Sequence, residues 1–171
     1  MKALTISQPF ASMIASGDKF VENRTWETLY RGPLAIHAGK GTQYLPKKEL
    51  AEYPTGCIVA VARLVACYHL ESLDATRRRE KPACFLAGVV HVALESLDAT
   101  RRHEKLYSCE LTIGDILRHK HTEGPFCWVL VGVRKLPQPV AIAGAQGLWT
   151  VPEEVVSAIV SQVNGRERSN C

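Results

Sequence analysis

The chain has 171 residues, 46% hydrophobic and 22% charged, which fits one globular domain with a core and excludes a disordered chain. Its net charge of +4 permits a polyanionic partner without requiring one. There is no secretory leader pattern, and the longest apolar run, Cys57–Cys67, is interrupted by Arg63, so a cytoplasmic location with no membrane partner is expected.

A short strand is expected over Ala3–Ser7, followed by a helix. Ser7 is placed to cap that helix, Pro9 sits near its first turn, and Gly17 suits the left-handed position at its end. Phe10, Met13 and Ile14 form its apolar stripe and read as core. The next segment reads as extended. In a regular strand Glu22, Arg24 and Trp26 share one face, and Val21, Asn23 and Thr25 the other. Leu34, Ile36 and Ala38 alternate with Ala35 and His37. Cys57–Cys67 and Phe126–Arg134 read as long strands, the second with continuous apolar residues that imply burial on both faces. Thr150-Val151-Pro152-Glu153 has a capping-box pattern and opens a helix with Val155, Val156, Ile159, Val160 and Val163 inward. Residues 166–171 are expected to be a disordered tail.

The middle of the chain contains a tandem duplication. Leu70-Glu71-Ser72-Leu73-Asp74-Ala75-Thr76-Arg77-Arg78 recurs unchanged as Leu94 to Arg102. The flanking Cys57, Ala60, Val65 and Ala66 are echoed by Cys84, Ala87, Val92 and Ala93. Two copies do not make a solenoid. One copy is expected to fill the native strand position, because a fold rarely needs the same strand twice. The organisation is therefore read as one domain over 1–165, with 69–122 as an insertion carrying the duplication. Arg77-Arg78-Arg79 and Arg101-Arg102 read either as solvated basic faces or as phosphate contacts.

The six cysteines form no Cys-x-x-Cys pair and read as reduced, mostly buried thiols. His119 and His121 lie two apart without a second ligand pair, so no metal and no cofactor are expected. The polar residues of the strand-like segments are more informative. Trp26 and Trp149 supply flat faces for stacking, and a base on an aromatic ring gains about 1–3 kcal/mol. Arg24, Arg31 and Lys40 suit phosphate or planar stacking. Glu22 and Gln146 can read a base edge, and His37 can do so or titrate. The plainer alternative is that Glu22 and Arg24 form a structural ion pair, while Trp149 and Trp128 fill the core.

Several of these motifs occur in a recognisable order. They are Ser7-Gln8-Pro9, Gly17-x-Lys19, Glu22-x-Arg24-x-Trp26, Tyr30-Arg31-Gly32, Ile36-His37-Ala38, Gly124-Pro125-Phe126-Cys127-Trp128 and Gln146-Gly147-Leu148-Trp149. In this the chain resembles the ASCH domains of the PUA-like superfamily over residues 1–68 and about 123–160. The resemblance implies an α+β fold, a PUA-like β-barrel of about five to seven strands decorated by helices. It also implies a ligand cleft beside the first helix. Gln8, Arg24, Thr25, Trp26, Arg31, His37, Lys40, Gln146 and Trp149 are the expected binding residues. The expected ligand is single-stranded RNA, a nucleotide or a modified nucleoside.

Some relatives are hydrolases of N4-acetylcytidine, and another group is associated with RNA cleavage. In the acetylcytidine group the chemistry rests on a lysine, matched by Lys19, and on a threonine whose position here is Glu22. Its glutamate has four candidates, Glu71, Glu80, Glu95 and Glu104. Lys19 and Glu22 are thus the candidate catalytic pair of an enzymatic alternative. A protein-interaction module in transcriptional regulation is a third reading.

Overall fold

A computed structural model of the chain describes residues 1–41, 43–72 and 111–165. Its elements are β1 (Lys2–Ile6), α1 (Phe10–Ser16), β2 (Val21–Arg24), β3 (Gly32–Ala38), a 3-10 turn (Lys47–Glu52), β4 (Cys57–His69), α2 (Ile113–Arg118), β5 (Phe126–Ala141), β6 (Leu148–Thr150) and α3 (Glu153–Gly165). The six strands pair in the order β2-β5-β4-β3-β1-β6. The α+β class and the strand number agree with expectation. The second repeat copy, Leu94–Arg102, lies outside the described residues, as does the first beyond Ser72. So do both arginine runs, Glu80, Glu95, Glu104 and the tail 166–171.

The chain divides into two compact units, and β4 and β5 contribute to both. One unit comprises Met1–Lys19, Pro33–Ala62 and the described part of Gly132–Cys171. Here β1 lies parallel to β3, with Lys2 opposite Leu34 and Ile6 opposite Ala38. On its other side β1 pairs antiparallel with β6, Ala3 opposite Trp149. Leu34 to Ala38 are all buried, so β3 is covered on both faces, and the expected alternation there gives way to continuous burial.

Helix α1 ends as expected. Gly17 adopts φ 89°, which strains any residue with a Cβ, and its N–H donates to the Ile14 carbonyl. The start of α1 differs. The N-cap is Pro9, with no side-chain cap bond, and the Ser7 contribution is its backbone carbonyl, which accepts from Ala11 N. Gln8 Oε1 accepts from Ser12 N instead. The core of α1 is Ala11, Ile14 and Ala15, while Phe10 and Met13 stay partly exposed. At the other end of the chain, α3 buries Ile159 and Val163 as its period predicts.

The second unit comprises Phe20–Gly32 and the described part of Arg63–Val131. Strand β2 is short, ending at Arg24, and pairs antiparallel with β5: Val21 opposite Val129, Glu22 opposite Trp128, Asn23 opposite Cys127 and Arg24 opposite Phe126. Val21, Cys127 and Val129 join Ala66 and Ile116 in one apolar cluster, against which Phe20, Tyr68 and Leu117 pack. Asn23 lies on that same side and closes the turn before β5. Its Nδ2 donates to His121 O at 2.6 Å, and its Oδ1 accepts from the N–H groups of Glu123 and Gly124. Gly124 packs so tightly that a Cβ would lie 2.5 Å from that of Asn23.

Helix α2 carries a capping box that the Thr-x-x-Asp spacing could have signalled: Thr112 Oγ1 accepts from Asp115 N, and Asp115 Oδ2 accepts from Thr112 N. The Thr112 hydroxyl, which donates to Asp115 Oδ2 at 2.7 Å, then the Thr112 N–H and the Arg118 guanidinium hold the Asp115 carboxyl below its usual range.

Candidate functional site

In the second unit the face of β2 turned away from the apolar cluster bears the charged side chains. Glu22 and Arg24 are two residues apart and therefore project to the same side. Arg24 Nη2 lies 3.2 Å from Glu22 Oε1, with side chains only 23% and 10% exposed. The cross-strand neighbour of Glu22 is Trp128, fully buried, whose Nε1 donates to the Trp26 carbonyl at 3.3 Å. Trp26 leaves the strand at its end and meets Trp128 edge to face, ring centroids 4.6 Å apart, while remaining partly exposed. A carboxylate, a guanidinium and a reachable indole thus stand together. Trp128 is core, as the plainer reading held, and it also props the outer indole. Nothing in its own sequence context signalled that second role.

Two other residues expected near this face have different surroundings. Thr25 is exposed beyond the strand end. Arg31 is exposed, and its Nη1 donates to the Thr28 and Tyr30 carbonyls, which fastens the loop leading to β3.

In the first unit, Lys19 follows α1 and is 2% exposed. Its N–H donates to the Met13 carbonyl, and its Nζ sits 5.8 Å from the centroid of the Phe10 ring. Gln8 is fully buried with both ends of its amide engaged, since Nε2 donates to Pro54 O at 2.7 Å. Those bonds make it a brace between the β1–α1 corner and the segment before β4. Lys40 and Gln146 are exposed.

His37 and Trp149 belong to one latch. His37 is 2% exposed and its Nε2 lies 3.0 Å from the Ile142 carbonyl. Because a carbonyl only accepts, Nε2 carries the proton, and Nδ1 is a bare acceptor with no hydrogen-bond partner among the described residues. The backbone of Gly144 presses on this edge, where a Cβ would come 2.6 Å from Nδ1. Thr5 Oγ1 donates to Ala145 O at 2.9 Å and accepts from Trp149 Nε1 at 3.2 Å. The Trp149 ring stands edge to face with His37 at 5.7 Å. Residues 142–149 are therefore strapped to β1 and β3 by the partly exposed Thr5 and the buried His37, while Gln146 faces solvent. Gly144 is needed there for close approach, which is the physical content of the Gly144–Trp149 motif.

Among the described residues, no three histidine, cysteine, aspartate or glutamate side chains gather closely enough to hold a metal ion. Cys57, Cys67 and Cys127 are free thiols. No helix among these residues is long and apolar enough to cross a membrane.

The mixed sheet with its helices defines an α+β domain whose strand residues present polar and aromatic groups. The model of the ASCH domain matches residues 4–139, most of the chain, and the chain belongs to that family. Among solved structures, the ASCH protein of Zymomonas mobilis is similar at 17% identity and a TM-score of 0.49, covering 94% of this chain and 93% of that one. A serine-to-alanine mutant of the same protein gives 16% identity and a TM-score of 0.49, covering 94% of both chains. A tyrosine-to-phenylalanine mutant gives the same identity and score, covering 94% of this chain and 96% of that one. No curated protein matches the chain.

The latch has a pH signature. Burial pushes the His37 imidazole below its ordinary value of 6.5, and the Ile142 hydrogen bond only partly offsets this. As pH falls through 6.5 the unfolded chain takes up this proton before the folded one, so stability contributed by the neutral ring is lost toward acid. Thermal unfolding followed between pH 7.5 and about 5 should show this loss, and His37→Gln should flatten that part of the profile. A wild-type profile unchanged by the substitution would contradict a buried neutral His37.

Proposed function

We propose that this ASCH domain binds single-stranded RNA or a nucleotide, including a modified nucleoside, through the outward face of β2. The observation that carries the reading is the Glu22–Arg24 pair, held at 3.2 Å with little exposure beside the partly exposed Trp26. A strand face opposite a core normally carries freely solvated charge. Here the carboxylate suits the amino edge of a base, the guanidinium suits phosphate or a stacked plane, and the indole suits the base face. Family membership supports the same class of ligand, since PUA-like domains commonly bind RNA or modified nucleotides.

Titration of a fluorescent single-stranded RNA of about 12 nucleotides tests this. Binding should weaken as salt rises, because each phosphate contact releases counterions. Arg24→Ala should weaken binding about tenfold and reduce the salt slope by roughly 0.7 for one lost phosphate contact on a single strand. Arg24→Lys, which keeps the charge but not the planar fork, should restore only part of the affinity. Absence of binding at low salt for RNA and nucleotides alike would sink the proposal.

A second reading, a small hydrolase of an acylated nucleoside such as N4-acetylcytidine or of RNA, is favoured by the placement of Lys19. Lys19 is 2% exposed after the end of α1, and its ammonium would stabilise a developing oxyanion. In that case Lys19→Ala should abolish most turnover while changing ligand affinity less than about tenfold, since the contact would act mainly in the transition state. Wild-type protein that turns over neither substrate leaves the binding domain alone.

A further inference from the structure

We propose that Phe10 and Tyr44 form an aromatic corner that stacks a nucleobase, supplied by a free nucleotide or by a single-stranded RNA. The inference rests on the nucleic-acid reading above and adds a contact surface to it.

The two rings meet with centroids 5.2 Å apart and planes 62° from one another. Two aromatic planes at such an angle make an open corner. A flat heterocycle can lie against one ring and present its edge to the other, so both favoured aromatic geometries are available to it at once. Tyr44 is the ring to stack on. It is 56% exposed, one of two large apolar side chains open to solvent among the described residues. Phe10 is partly exposed although it belongs to the apolar stripe of α1. The helix buries Ala11, Ile14 and Ala15 instead, and the Phe10 ring stays at the partly exposed rim against Tyr44.

Charge at the corner suits the ligand. The Lys19 ammonium lies 5.8 Å from the Phe10 centroid, and Lys40 is exposed at the start of the loop that carries Tyr44. A positive field behind an aromatic corner attracts the electron-rich carbonyl edge of a base and its phosphate, and it discriminates against a cationic or purely apolar guest.

The corner is also held in place. A Cβ at Gly41 would meet Ser7 Oγ at 3.7 Å, so the loop lies against the β1–α1 corner at two points, Ser7 and Phe10. Gln8 braces the same corner through Pro54 and Ser12. A platform fixed in advance loses little conformational entropy when the ligand arrives.

Anisotropy with two labelled RNAs tests the proposal: a single strand of about 12 nucleotides and the same strand with its bases removed. Tyr44→Ala should weaken binding of the intact strand about tenfold or more, the range expected for one lost stacking contact. It should leave the abasic strand within about twofold of wild type. Tyr44→Phe should bind like wild type, and Tyr44→Leu, which keeps apolar bulk without a ring, should behave like Tyr44→Ala. Thermal unfolding of these variants should match wild type, because the side chain is exposed. Displacement by nucleoside monophosphates identifies the free nucleotide as the source of the base, whereas displacement only by unlabelled strand identifies RNA. Wild-type affinity in Tyr44→Ala for the intact strand overturns the aromatic corner and leaves the β2-face reading standing. Failure of wild type to bind any RNA or nucleotide overturns both.

Discussion

The pairing register of β2 on β5 decides what the second unit can do. With Val21 opposite Val129 and Asn23 opposite Cys127, one side of the ribbon supplies the apolar cluster and closes the Gly124 turn. The other side receives Glu22, Arg24 and Trp128. A slip of one residue would turn the carboxylate and the guanidinium into the apolar cluster, and side chains of a strand all change faces together. An uncompensated buried charge destabilises by several kcal/mol, so the alternative register is strongly disfavoured. The same requirement that keeps the core apolar thus concentrates the polar groups on the outward face. The Arg24–Glu22 contact then keeps both groups paired there despite their low exposure.

The first unit meets a related constraint differently. Its strand β3 is buried on both faces from Leu34 to Ala38, and β1 buries Ala3, Leu4 and Ile6, which leaves little outward face for polar groups. The polar residues that remain inside are consequently spent on structure. Gln8 saturates its amide between Ser12 and Pro54, and His37 donates to Ile142. Thr5 joins the Ala145 carbonyl to the Trp149 indole. Each of these bonds stabilises modestly, about 1 kcal/mol net, but leaving a partner unmet inside costs more, which makes the set hard to change singly. The side chains that stay exposed at the margins include Tyr44, Lys40 and Gln146.

Much of the fold was legible in the sequence because it follows from patterns of period two and from turn chemistry. The β2 face was read correctly from Glu22-x-Arg24, and the end of α1 from Gly17. The start of α1 was not, since a capping hydroxyl at Ser7 looks sufficient locally, whereas the amide of Gln8 does the work through a partner, Pro54, distant in sequence. His37 and Gln8 carry side chains that suit a ligand, and only their burial and hydrogen bonds show that each also braces the fold. Burial of a polar group depends on the strands stacked around it, and β3 shows no polar alternation that would have warned of this. Phe10 was misread for the opposite reason: a helical stripe predicts the core-facing side, but the smaller Ala11 and Ala15 fill the tight interior and the larger ring stays at the rim. Tyr44 sits in a polar loop without any periodic signal, so its meeting with Phe10 emerges only in three dimensions.

On the proposed reading, ligand engages the outward face of β2 while the core behind it stays undisturbed. A two-dimensional nitrogen–proton spectrum of labelled protein, recorded while single-stranded RNA is added, tests it directly. The indole N–H of Trp26 and the amides of Glu22 and Arg24 should shift in proportion to binding. The indole N–H of Trp128, buried and bonded to the Trp26 carbonyl, should move far less. Shifts confined to α3 or to the amides of α2, with the β2 signals unmoved at saturation, would contradict the account.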